Sequence, residues 1–355
     1  MELEAVMDLT SRDRFKRPEQ VLITGAGGEV GHGLLHAFVD SGAGQVSTLD
    51  LAELPATHAP LVSNSYLGDI RDESLVAEIF GRNDIDEVYH LAALLSSAAE
   101  HAPAVAYDVN VTGSVGMIRQ ATQAAEERGR PILFFFPSSI AVYGFSDHGH
   151  KIESGAVDER VFHHPRTMYG CNKLAVENIG RYYALYHRRQ GKKSAEFSGI
   201  DFRCLRFPGL ISAVTQPTGG TSDFVPEMLH AAIRGEPYEC FVRPDTRIPF
   251  MTMPDAIEAT LQYTGAPVEQ LTKSCYNVAA FSPSAEECAE LVRHHYPSAK
   301  ITFNVTPERQ AIVDSWPAKV DCSAAERDWG FSPKHDLEKT FTEYIIPYFE
   351  SQSGA

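Results

Sequence analysis

Short apolar runs recur along the first two-thirds of the chain, each broken by small or polar residues and followed by helical spacing. Val21-Leu22-Ile23, Val46-Ser47-Thr48-Leu49, residues 86–93, residues 132–136 and residues 200–207 have the length and continuity of strands covered on both faces. Between them, Leu34-Leu35-His36-Ala37-Phe38-Val39, residues 110–117 and Leu174-Ala175-Val176-Glu177-Asn178-Ile179 place apolar groups one helical turn apart. This alternation predicts an α/β fold: a doubly wound parallel Rossmann sheet over residues 20–207, with a return segment at about 238–262. Residues 208–237 and 263–350, with helical patterns at 224–233, 281–297, 320–329 and 335–349, are assigned to a smaller C-terminal lobe. Residues 1–19 precede the pattern as an extension.

The first apolar run breaks into Thr24-Gly25-Ala26-Gly27-Gly28-Glu29-Val30-Gly31 and then turns helical. A glycine-rich turn between strand and helix can cradle a pyrophosphate. Gly25 permits the tight turn, Gly28 admits the ligand to the main chain, and Gly31 lets the helix pack close. Glu29 and Val30 lie at the helix's positive end. A ligand-free βα turn has the same pattern, so the neighbouring strand ends matter. The second strand ends at Asp50, about 20 residues past the glycines, where a carboxylate accepts from both ribose hydroxyls of NAD and repels the 2′-phosphate of NADP. Asp69 and Ile70 follow the third strand and are candidates to meet an adenine; taken alone, Asp69 also suits a turn or N-cap. Leu91-Ala92-Ala93 closes the fourth strand in small residues across which a dinucleotide can lie flat. Asn110 is a candidate either for a main-chain bond near the site or for a structural role.

The run at 132–136 ends in Pro137-Ser138-Ser139, which places hydroxyls outside a strand's carboxyl end, where open α/β sheets bind ligands. Tyr169 and Lys173 stand at i and i+4, on one helical face. A phenol is a poor base at neutral pH, and a nearby ammonium favours its phenolate. Ser, Tyr and Lys together can take a proton from an alcohol while a hydride leaves its carbon. Ser96 falls at the same crevice, and Thr221-Ser222 lie at a helix start suited to a carboxylate. Arg247 reads as the partner of an internal acid such as Asp255, or of a substrate carboxylate. Asp314-Ser315-Trp316-Pro317 reads as a loop closing over the site, with the indole as a packing anchor.

Composition narrows the classes. A chain of 355 residues can bury one large domain with a smaller lobe. A formal charge of −16 disfavours nucleic acid and anionic membrane as partners, leaving a small molecule. The six cysteines include no C-x-x-C pair, so no zinc framework and no metal are expected; they read as reduced thiols of a cytoplasmic protein. The first twenty residues lack a signal peptide's apolar core, and Glu2, Glu4, Asp8, Asp13 and Glu19 argue against a mitochondrial transit segment. No apolar run approaches the ~18 residues of a membrane span.

Taken in order, T-G-x-x-G-x-x-G, strand-end Asp50, G-D-I-R, H-L-A-A, P-S-S-I-A-V-Y-G and Y-x-x-x-K resemble the extended short-chain dehydrogenase/reductase superfamily over most of the chain. Within it, Pro165-Arg166-Thr167-Met168-Tyr169-Gly170, residues 201–212, Gly219-Gly220-Thr221-Ser222-Asp223, residues 238–241 and 245–251, and Asp314-Ser315-Trp316-Pro317 resemble the short-chain-type L-threonine 3-dehydrogenase family. The resemblance implies NAD-dependent oxidation of the L-threonine C3 hydroxyl to 2-amino-3-oxobutanoate. It implies Tyr169 as general base, Lys173 as its electrostatic partner and ribose anchor, and Ser139 as the group orienting the substrate oxygen. The main chain at Leu210 would lie against the nicotinamide, and Ser96, Ser138, Thr221 and Ser222 toward the amino-acid moiety. A homodimer, or a higher homo-oligomer, built on helices starting near Asn110 and Tyr169 is also implied. The extension and the basic segment 187–199 depart from the family pattern. A nucleotide-sugar epimerase or dehydratase shares the scaffold, but no Asn follows Arg206 to bind a nucleotide phosphate. A non-catalytic NAD-sensing protein has no need of an intact Ser139, Tyr169 and Lys173.

Overall fold

The computed structural model describes residues 18–188, 199–215 and 220–353; residues 1–17 of the expected extension and 189–198 of the basic segment lie outside them. Seven parallel strands form the main sheet: β1 Gln20–Thr24, β2 Gln45–Asp50, β3 Asn64–Leu67, β4 Glu87–His90, β5 Ile132–Ser139, β6 Ile200–Phe207 and β7 Cys275–Asn277. Their order is β7-β6-β5-β4-β1-β2-β3. The winding reverses between β1 and β4, which opens a crevice at their carboxyl ends.

Both faces of the central strands are covered, which is why β1, β4, β5 and β6 carry no polar alternation. On β5, Ile132, Phe134 and Phe136 pack with Phe202, Cys204 and Val176, while Phe135 packs on the opposite face with Tyr89, Leu205 and Met251. The helix Met168–Leu185 lies on the first of these faces and starts where the Thr167 hydroxyl accepts from the Gly170 N–H. It approaches β6 at Gly180, where a Cβ would fall inside the Phe202 ring.

Two boundaries differ from the sequence expectation. β7 lies within 263–350, the stretch assigned to the lobe, yet it pairs with β6 through Cys275↔Cys204, Tyr276↔Leu205 and Asn277↔Arg206. Three residues carry too little pattern to announce a strand. The expected return segment also divides. Phe250–Thr252 pairs with Gly209–Ile211, and the helix Met253–Gly265 packs against Val21, Ile23 and Tyr89. Tyr238–Cys240 instead pairs with Ile301–Phe303. The second core holds Tyr143, Phe145, Phe224, Phe250, Trp316 and Phe341. None of the described helices is long and apolar enough to cross a membrane.

Gly180→Val gains little helix propensity and overpacks the Phe202 contact, at a cost of about 1–3 kcal/mol. Urea unfolding should read this as a lower midpoint at unchanged slope.

Candidate active site

At the carboxyl end of β1 the chain turns through Gly25, whose φ is +69° and whose Cβ would stand 2.7 Å from the Ala92 nitrogen. Only glycine meets both demands. The next helix, Glu29–Ser41, has Gly28 at its N-cap and no side-chain cap, so its first N–H groups, at Glu29, Val30 and Gly31, face outward without one. Gly31 backs onto the Ala26 carbonyl, where a Cβ would lie 2.5 Å from the oxygen. Asp50, the last residue of β2, accepts from the Gly27 N–H at 2.9 Å and the Ala52 N–H at 3.3 Å. Its carboxylate is thereby fixed beside the glycine turn with lone pairs to spare.

Leu91, Ala92 and Ala93 follow β4 and are half-buried. The Leu91 and Ala92 N–H groups donate to the Thr24 carbonyl (3.0 Å) and hydroxyl (3.3 Å). Asn110 is buried, and its amide clamps Leu94 from both sides, accepting from the N–H at 2.7 Å and donating to the carbonyl at 3.0 Å. It therefore shapes the loop leaving β4. Nearby His90 bridges Thr24 and Ser114, at 2.8 Å each; burial, with help from the Lys173 charge, pushes it down to about 3, so it stays a neutral packed link. Ile70 is buried, and Asp69 is held by Arg71 through three bonds to the guanidinium that draw its pKa down.

β5 delivers the catalytic end. Ser139 is its last residue, and its Oγ accepts from the Ala141 N–H at 3.2 Å, which leaves its O–H free to point elsewhere. Gly170 fits against the Ala141 carbonyl with no room for a Cβ, and this contact holds Tyr169 beside the turn that follows Ser139. Lys173 is buried; its Nζ donates to the Pro137 carbonyl at 2.6 Å and stands 4.5 Å from the Phe136 ring centroid and 5.5 Å from that of Tyr169. Burial brings Lys173 down to about 8, although Glu177 favours its charged form, and burial pushes the Tyr169 phenol up.

Ser138 is not brought to this crevice. It is 3 % exposed and donates to Glu177 Oε1 at 2.5 Å. Glu177 lies one turn beyond Lys173 and is gripped by Arg206, Nε to Oε1 at 3.0 Å and Nη2 to Oε2 at 2.6 Å. Arg206 also donates to the Tyr143 hydroxyl at 2.8 Å, and that hydroxyl donates to Asn277 at 2.7 Å. Sequence reasoning passed over Glu177, although a carboxylate on the buried face at i+8 from Tyr169 was its signal.

On the lobe side, Leu210 lies in the short strand Gly209–Ile211, Thr221 is buried, and Ser222 is within reach of Gly209. Ser96 opens the helix Ser96–His101, and Glu100 of that helix accepts from the Met168 N–H at 2.6 Å. Arg247 forms an internal pair, but with Glu287 at 2.7 Å; Asp255 accepts instead from the main chain of Lys334 and His335. Trp316 is buried in the second core.

Residues 21–279 match the model of the NAD dependent epimerase/dehydratase family. The chain belongs to that family. It is 37% identical over 329 residues to the bovine (Bos taurus) protein named L-threonine 3-dehydrogenase, mitochondrial, covering 92% of this chain and 82% of that one. Two solved structures superpose at a TM-score of 0.80: a monomeric L-threonine 3-dehydrogenase from a metagenome, apo form (34% identity, 93% of this chain, 99% of that one), and a GalE-like L-threonine dehydrogenase from Cupriavidus necator, holo form (33% identity, 92% and 99%).

The residues present fit the dinucleotide that names the NAD dependent epimerase/dehydratase family. The uncapped helix start, the glycine turn that a Cβ would obstruct and the strand-end Asp50 form a continuous cradle.

Lys173 also has a measurable cost. Its pKa is about 8 here against 10.5 when free, so below pH 8 the buried ammonium is a liability that the unfolded chain does not carry. This penalty fades as pH rises from 8 to 10.5, because the unfolded chain then binds more protons. Lys173→Met should therefore raise the melting temperature at pH 7, with the gain shrinking toward pH 10.5.

Proposed function

We propose that this chain oxidises the C3 hydroxyl of L-threonine to 2-amino-3-oxobutanoate with NAD. The observation that carries the reading is the gathering of Ser139, Tyr169 and Lys173 at the carboxyl end of β5, in the same parallel sheet whose β1 and β2 end at the glycine turn and Asp50. Gly25, Gly28 and the N–H groups of Glu29, Val30 and Gly31 hold the pyrophosphate, Asp50 the adenosine ribose, and Asp69 and Ile70 border the adenine. Leu91, Ala92, Ala93 and Leu210 line the path to the nicotinamide, and Asn110 braces it through Leu94. When bound, NAD supplies the hydride acceptor.

Ser139 donates its O–H to the substrate oxygen, because its Oγ already accepts from Ala141. Tyr169 takes the hydroxyl proton. Lys173 spends one N–H on the Pro137 carbonyl and keeps two donors for the nicotinamide ribose, while its charge favours the phenolate that burial opposes. Ser96, Thr221 and Ser222 receive the ammonium and carboxylate of the substrate. Ser138 acts at one remove, through Glu177. Exposed Val105, Tyr107, Tyr182 and Leu185, on the helices that precede Asn110 and carry Tyr169, support a homodimer as part of this reading.

The deciding experiment is NADH formation with L-threonine, run beside L-serine, D-threonine, L-allo-threonine and UDP-glucose. L-Threonine alone should give NADH. Silence with every amino acid would sink the reading. Tyr169→Phe should abolish turnover and leave NAD affinity within a few-fold; near-normal rates in this variant would remove the assigned base. Wild type should prefer NAD over NADP, and Asp50→Ser should narrow that preference, read as the ratio of kcat/KM for the two cofactors.

A further inference from the structure

The pairing of β6 with β7 does something that no sequence spacing announces. Cys204 and Cys275 are register partners, and their sulfur atoms lie 3.4 Å apart. Glu177 reaches the same point from the helix Met168–Leu185, so that one carboxylate oxygen and two sulfurs all fall within 4.8 Å of one another. The chemistry proposed above uses neither thiol. We propose that Cys204, Cys275 and Glu177 form a binding site for a thiophilic divalent cation of the zinc–cadmium class.

The donor set is right for such an ion. Two thiolates and a carboxylate are three of the four ligands of a tetrahedral site, with water as the fourth, and sulfur selects against magnesium and calcium. Glu177 has capacity left. A carboxylate offers about four lone-pair positions; Oε1 accepts from Ser138 and Arg206 Nε, and Oε2 from Arg206 Nη2 alone. The carboxylate therefore keeps lone-pair capacity for an ion without breaking the ion pair.

Charge is the obvious objection, since the Arg206 guanidinium faces the same cluster. Burial also pushes the Cys204 thiol well up, so it is protonated before the ion arrives. The balance meets the objection. Binding breaks two S–H bonds, forms two metal–sulfur bonds and releases two protons to solvent, with no change of oxidation state. One divalent cation replaces two protons, and the net charge of the buried cluster is unchanged. Access is from the side of Cys275, which is half-buried on the edge strand β7.

The test is a cadmium titration of the full-length protein, read by thiolate-to-cadmium charge-transfer absorbance and by proton release. The expected result is one high-affinity cadmium ion and two protons per chain, both reversed by a chelator. Cys275→Ser and Cys204→Ala should each remove the high-affinity absorbance step and its proton release; Cys171→Ser, at an exposed thiol outside the cluster, should keep both. Cys275→Ser, at the less buried position, keeps the test decisive if Cys204→Ala fails to fold. An unaltered high-affinity step in Cys275→Ser would overturn the site. Binding is read without turnover, so the site is judged even if L-threonine proves not to be the substrate.

Discussion

The ion pair between Glu177 and Arg206 is the interaction on which the catalytic end depends. Both side chains are almost fully buried, and their grip ties the helix bearing Tyr169 and Lys173 to β6. A buried pair of this kind contributes little beyond its own desolvation cost, but removing one partner strands a charge and costs about 3–5 kcal/mol. The pair recruits further groups. Ser138 donates to the carboxylate, and Tyr143 and Asn277 continue from the guanidinium toward β7. Glu159 adds two bonds, its carboxylate accepting from the Asn277 N–H and from the Lys273 ammonium. Together these bonds form a polar core where the helix must be held still.

β5 divides its labour between two adjacent serines. Successive strand residues point to opposite sides, so Ser138 turns to the polar core while Ser139 turns to the crevice. The backbone carbonyl between Phe136 and Ser138 belongs to Pro137, and it receives Lys173. Three consecutive residues thus meet Lys173, the polar core and the crevice.

Much of this was legible in the chain. The turn from Thr24 to Gly31, the strand-end Asp50 and the i, i+4 pair of Tyr169 and Lys173 depend on local geometry, and local geometry is written in spacing. The smaller elements were not legible, because nothing local specifies them. β7 spans three residues and is a strand only because β6 offers it an edge. Ser138 read as a substrate contact beside Ser139, and only strand parity shows that it faces Glu177 instead. Arg247 pairs with Glu287 rather than Asp255 because the fold brings the helix Ala285–His295 beside it, a neighbour forty positions away that no pattern could name.

The strand order also sets a timetable for folding. β1, β2, β3 and β4 are complete by residue 90, so the half of the sheet that carries the glycine turn can close while the rest of the chain is still being made. β7 cannot join β6 until the chain has passed Asn277, and the second core waits for Phe341. Long-range parallel pairings of this kind close slowly, because the entropy of the intervening loop is lost before any contact repays it. Until they close, Arg206 lacks the Tyr143–Asn277 bond, and β6 remains an open edge able to pair with other chains. The last strand of the main sheet to arrive therefore completes the polar core and covers the β6 edge.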